Sequence, residues 1–182
     1  MLNLGQRKRL LEIARNAIIS YLTANKKPDL TEADPVLSRP MGAFVTLHKK
    51  GQLRGCIGNL ISREPLYLTV RDMAIEAAVG DPRFMPLDPT EFKDVDLEIS
   101  VLSPMQRIDS PEEIKVGTHG VLVKKGFRSG VFLPQVAVET GWSKEEFMSH
   151  LCTEKAGLPA DAWKDKSTEV YIFTAEVFSE KD

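Results

Sequence analysis

Residues 53–58 read Leu-Arg-Gly-Cys-Ile-Gly, with Arg54 two positions before Cys56 and glycines on both sides of the cysteine. A thiolate is a strong nucleophile, and a neighbouring guanidinium stabilises its charged form. Glycines beside it leave room for a ligand to approach the backbone closely. The competing reading is structural: Cys56 is a small buried hydrophobe, Arg54 a surface residue, and the glycines serve a bulge. A nucleophilic thiol also needs a base within hydrogen-bond reach. Of the three histidines, His48 falls in a predicted turn and His150 on a predicted helix. That leaves His119, in Gly-Thr-His-Gly-Val, as the acid/base candidate by elimination, against a plain turn residue.

Other polar residues could serve the same site. In Asp81-Pro82-Arg83-Phe84, Arg83 could clamp a carboxylate or phosphate. Alternatively, Asp81 and Arg83 pair internally and hold the loop. Gln135, after Pro134 at a strand end, is a polar contact for a cleft or the start of a helix. Glu98 sits on the polar side of an apolar strand, so it is exposed or partnered, and it could face the arginines. Cys152, near Met148 and Leu151, reads as core packing. Cys56 and His119 alone fall short of the three or four ligands zinc takes. There is no CxxC and no HExxH, so no metal is assigned. Both GxGxxG and GxxxxGK[ST] are absent, which argues against a standard nucleotide-binding enzyme and leaves the cofactor open.

Composition bounds the rest. At 182 residues and 42% hydrophobic, the chain can bury one core, or two lobes sharing one. A net charge of -2 and a pI near 6.0 give no electrostatic footprint for nucleic acid. The basic stretch QRKRLLEIARN reads as a solvated helix face. Charges interrupt the first 20 residues too often for a signal peptide, and no window approaches the roughly 18 apolar residues of a membrane span. The chain therefore reads as soluble and cytoplasmic, with no membrane partner. Its two cysteines, far apart in sequence, read as free thiols.

The positioning elements follow from periodicity. Leu10, Ala14, Ala17, Ile18 and Tyr21 mark one face of a helix over 6–24. Residues 25–40 read as a loop. Ala43, Val45 and Leu47 alternate along a strand, and HKKGQ turns it into a second strand, LRGCI, with Gly51 left-handed. Period two then sends Leu53 and Ile57 to the core and Arg54 and Cys56 to the other face. A three-residue turn with a glycine bulge would set Thr46 opposite Arg54 and Phe44 opposite Cys56. Pro65 suits a helix first turn; Leu66, Val70, Met73, Ala74 and Ala77 form its apolar face and Gly80 ends it. DVDLEISVL is a strand. Three short strands are expected at HGVLVKK, near FRS and at GVFLP, punctuated by Lys-Lys-Gly and Ser-Gly. Ser143 and Glu146 form a capping box for a helix closed by Gly157. EVYIFTAEVF is a last strand. Without regular βαβ spacing, the class is α+β with antiparallel sheet.

These blocks also carry a resemblance. GAFVTL, LRGCIG, DPRF, LEISVLSP, HGVLV, FLPQVAVETGW, LCTEKAGL and VYIFTAEVF stand in the order found in the AMMECR1 domain family, and the likeness runs through the whole chain, 1–182, as a single unit. The length suggests a stand-alone archaeal or bacterial member. The resemblance implies two lobes built on antiparallel sheets with flanking helices, the larger holding both chain ends, and a cleft between them. It implies that Arg54, Cys56, Asp81, Arg83, His119 and Gln135 line that cleft. It implies no particular reaction. Microbial relatives occur beside, or fused to, Memo-like and radical SAM proteins, which suggests a protein partner of that type. Two functions stand open. One is an enzyme using Cys56 with Arg54 on an anionic small molecule, with His119 as acid/base and Asp81, Arg83 and Gln135 as substrate contacts. The other is a ligand- or partner-binding module without chemistry of its own. Oligomeric state is left open.

Overall fold

The computed structural model describes all of residues 1–182, which divide into two compact units: 1–102 with 176–182, and 103–175. No helix is long and apolar enough to cross a membrane.

The first unit opens with helix α1 (Leu4–Ala24), two residues earlier than periodicity predicts. The earlier start comes from an Asn3–Gln6 capping box, in which each side chain accepts the other residue's backbone N–H. Strands β1 (Ala43–Lys49) and β2 (Gln52–Asn59) form a hairpin. Helix α2 (Leu66–Val79) and strand β3 (Val95–Leu102) follow. Strand β8 (Ala175–Ser179) completes a four-stranded sheet in the order β2-β1-β3-β8. Val45 lies opposite Ile57 on one side and Ile99 on the other. The face holding Ala43, Val45, Leu47, Leu97 and Ile99 is fully buried with Leu10, Ala14, Ile18, Val70 and Ala74 of the two helices. The alternation read from the sequence therefore holds on β1 and over Val95–Ile99 of β3, beyond which Ser100 and Leu102 are buried as well.

On β2 it does not. The turn is two residues, Lys50 and Gly51, both with positive φ (52° and 79°), the pattern of a type I′ hairpin. The bulge lies inside the strand: Leu47 pairs with Gly55 and His48 with Leu53, which leaves Arg54 as the extra residue. One extra residue reverses the facing of everything before it. Ile57 packs on the core as expected, but Leu53 is turned outward and 42% exposed. Cys56 is opposite Thr46, and Phe44 is opposite Gly58, correcting the expected register.

The second unit holds β4 (Gln106–Ile108), β5 (Gly120–Lys125), β6 (Arg128–Phe132), α3 (Pro134–Thr140), α4 (Lys144–His150) and β7 (Glu169–Phe173), with sheet order β4-β7-β5-β6. Ser129-Gly130 is not a break: the two short strands expected at FRS and GVFLP are one strand. A Cβ on Gly130 would stand 2.5 Å from the Ala156 nitrogen, so the glycine lets the sheet approach the end of the helical segment. The capping box at Ser143 and Glu146 forms as read. After α4 the chain widens into a π-helical turn over Leu151–Lys155 that seats Cys152 in a core with Phe147, Met148, Val121 and Val123. The last expected strand, EVYIFTAEVF, is two strands, β7 and β8, in different sheets. Both sheets are antiparallel, so the fold is α+β.

Candidate functional site

Strand β2 is an edge strand, and an unpaired edge leaves backbone groups without partners. At Cys56 the loop after α2 supplies them. The Cys56 N–H donates to Asp81 Oδ2 at 2.9 Å, and Arg83 Nη2 donates to the Cys56 carbonyl at 3.2 Å. The two side chains join each other through Arg83 Nε to Oδ1 (2.9 Å) and Nη2 to Oδ2 (2.7 Å). An ion pair thus replaces a neighbouring strand at this one residue. The local sequence builds it. Pro82 follows Asp81 in a turn closed by Phe84 N–H to the Asp81 carbonyl, and the Arg83 N–H donates back to Asp81 Oδ1. The Asp81 side chain is 2% exposed. Its guanidinium partner, opposed by burial and helped by the Cys56 and Arg83 N–H groups, holds its carboxyl far below the usual carboxylate range. Arg83 is 55% exposed, and its Nη1 makes no hydrogen bond to the protein.

The Cys56 side chain is half-buried. Its Sγ accepts a hydrogen bond from Thr46 Oγ1 at 3.2 Å. Register places Cys56, Thr46 and Glu98 in one row across β2, β1 and β3, with His48 one step along β1 on the same face. Glu98 is half-buried and hydrogen-bonds to neither arginine.

Arg54 is held elsewhere. Its Nε and Nη2 donate to Glu91 (2.9 and 3.1 Å), and Nη2 also donates to the Met85 carbonyl at 3.0 Å. Lys49 Nζ reaches the same carboxylate at 2.9 Å. Arg54 and then Lys49 pull the Glu91 carboxyl down to about 2. Arg54 and Arg83 both stack near the Phe84 ring, at 5.8 and 5.6 Å from its centroid. The two arginines therefore fasten the 81–91 loop to β2 at two points. The glycines do not open space. A Cβ on Gly55 would lie 2.2 Å from the Ala77 carbonyl oxygen, and one on Gly58 2.3 Å from the Phe44 ring. Helix and aromatic ring already occupy both places.

His119 and Gln135 belong to the second unit. The His119 N–H donates to the Lys115 carbonyl at 2.8 Å, and its Nδ1 accepts from the Lys115 N–H at 3.2 Å, so the imidazole closes a turn and leaves only Nε2 for other work. Gln135 is the second residue of α3, after Pro134 at its first position, and its Oε1 is buried without a partner. Two residues escaped the sequence reading. Thr46 was assigned to the wrong cross-strand neighbour, and the register that corrects it depends on the bulge. Glu91, 37 positions from Arg54, carries no local signal.

Fold and site together define an α+β protein with a half-buried thiol on a sheet edge, its backbone clamped by an ion pair. The chain belongs to the AMMECR1 family, which it matches over residues 11–178. It is similar to the protein MK0488 of Methanopyrus kandleri, 44% identical over all of this chain and 91% of that one. A protein of Methanothermobacter thermautotrophicus is 46% identical over 94% of this chain and 92% of its own. Among solved structures, the uncharacterized protein PH0010 from Pyrococcus horikoshii superposes with a TM-score of 0.85 at 43% identity, covering 95% of this chain and 90% of that one.

Proposed function

We propose that Cys56 is the nucleophile of an enzyme acting on an anionic small molecule, on the sheet face it shares with Thr46 and Glu98. One observation carries this: Sγ receives the Thr46 hydroxyl hydrogen while the Cys56 main chain is fixed by Asp81 and Arg83. The hydroxyl and the clamped backbone hold the sulfur in one place on that face, as a nucleophile requires. Arg83, exposed and with Nη1 free, is the anion contact. Arg54, committed to Glu91, is a positioning residue that holds the loop carrying Arg83.

The second reading is a binding module that serves a partner protein, of the Memo-like or radical SAM type that the family resemblance suggests. It is favoured by one fact: no imidazole hydrogen-bonds to Cys56 or Thr46. The deciding measurement is the alkylation rate of Cys56 by iodoacetamide in native protein, located by mass spectrometry. Thr46→Val should slow it about three- to tenfold, the loss of about one hydrogen bond. An unchanged rate would remove the support for a nucleophile and leave the binding module.

A further inference from the structure

We propose that the second unit carries a binding site for a small oxyanion, a phosphate monoester or carboxylate on a compact apolar body. It lies in a cavity of about 330 Å³ between the turn after β4 and the segment leading into β7.

The argument begins with unpaired donors. Only four buried side-chain N or O atoms in the chain lack a hydrogen-bond partner, and two of them, Trp163 Nε1 and Thr168 Oγ1, belong to residues lining this cavity. Trp163 is 7% and Thr168 8% exposed. An indole N–H can only donate, and a native interior keeps few such groups unsatisfied. Both residues line this one cavity, so an acceptor bound there would complete them with a small turn of either side chain.

Charge gives the sign of that acceptor. Lys164 and Lys166 line the cavity, and neither forms an ion pair. Lys164 Nζ lies 4.9 Å from the centroid of the Trp163 ring, which keeps a cation beside the unpaired N–H. Arg107 reaches Glu169 only at 3.8 Å. On the acidic side, Asp165 is taken by Lys125 at 2.7 Å, which leaves Asp109 as the uncommitted carboxylate against three weakly committed cations. Such a lining favours an anion. Ile108 and Val170 add apolar wall, and the volume suits a ligand of modest size. The site shares no residue with Cys56 and its partners, so it stands or falls independently of the reading proposed above.

The test is isothermal titration calorimetry of the full chain at low ionic strength with phenyl phosphate, benzoate and, as a neutral control, benzyl alcohol. At least one anion should bind and the alcohol should not; the tighter of the two anions names the class. Thr168→Val, nearly isosteric, should weaken binding about fivefold, and Lys164→Ala with Lys166→Ala about tenfold or more, each worth a contact to a charged ligand. Lys26→Ala, on the first unit, should change nothing. A melt by circular dichroism establishes that each variant is folded. No heat with either anion, equal binding of the alcohol, or unchanged affinity in the double lysine variant overturns the proposal.

Discussion

Cys152 sits at 0% exposure in a π-helical turn, walled by Phe147, Met148 and Leu151, and burial pushes its thiol up. Cys56 sits half-buried on an edge strand, with a hydroxyl on its sulfur and an ion pair on its backbone. The first is packed chiefly among apolar side chains, and its burial outweighs a hydrogen bond from the Trp163 backbone N–H. The second is surrounded by polar groups that fix its position. The chemistry of a cysteine is therefore set by the element that carries it. A helix interior hides the thiol, whereas a sheet edge must be capped by something, and here the cap is polar.

The widest separation between these two environments is kinetic. In native protein iodoacetamide should label Cys56, while Cys152 should react more slowly by about a thousandfold or more, since exposing it requires opening that costs about 4 kcal/mol or more. Comparable rates, read by mass spectrometry, would erase the contrast. The next effect concerns the glycines beside Cys56. Gly55→Ala drives a Cβ into the Ala77 carbonyl and should cost about 3 kcal/mol in urea unfolding. Gly58→Ala meets the base of the Phe44 ring at 2.3 Å and the Ala43 carbonyl oxygen at 2.6 Å, and should cost about 2–3 kcal/mol without slowing Cys56 alkylation. A large loss of reactivity with little loss of stability would return the glycines to a ligand-binding role.

Smaller effects test the bulge. Ile57→Ala should cost about 2 kcal/mol as a core truncation. Leu53→Ala, at a side chain turned outward, should cost under about 1 kcal/mol. Equal losses from both would mean that β2 runs without its extra residue. The last test is pH-dependent. Arg54 and Lys49 lower the Glu91 carboxyl to about 2 in the folded chain, against about 4.3 when unfolded. Its ionised form thus contributes stability that is fully present above the unfolded value and fades as pH falls toward the folded one. The stability gap between wild type and Glu91→Gln should be constant near neutral pH and should close between about pH 4.3 and about 2. A gap that persists at the acid end would assign the anchoring of Arg54 to another group.

Local chemistry made much of this protein legible. The period of α1, the faces of β1 and β3, the capping box at Ser143 and the α+β class follow from residue types at short spacing, because their causes act within a few positions. The Asp81–Arg83 pair was open in the sequence as one of two readings for the same reason: Asp, Pro and Arg close a turn on themselves. The bulge at Arg54 was not legible. It accompanies the close approach of Gly55 to Ala77 at the end of α2, a contact between residues more than twenty positions apart. For the same reason the splitting of EVYIFTAEVF between two sheets, the assignment of Arg54 to Glu91, and the placing of Thr46 on the Cys56 sulfur needed the assembled chain. The sequence by itself determined which residues are polar, apolar or turn-forming. Only the tertiary structure decided which of them meet, because one extra residue in a strand reverses every side chain before it and no local preference records that choice.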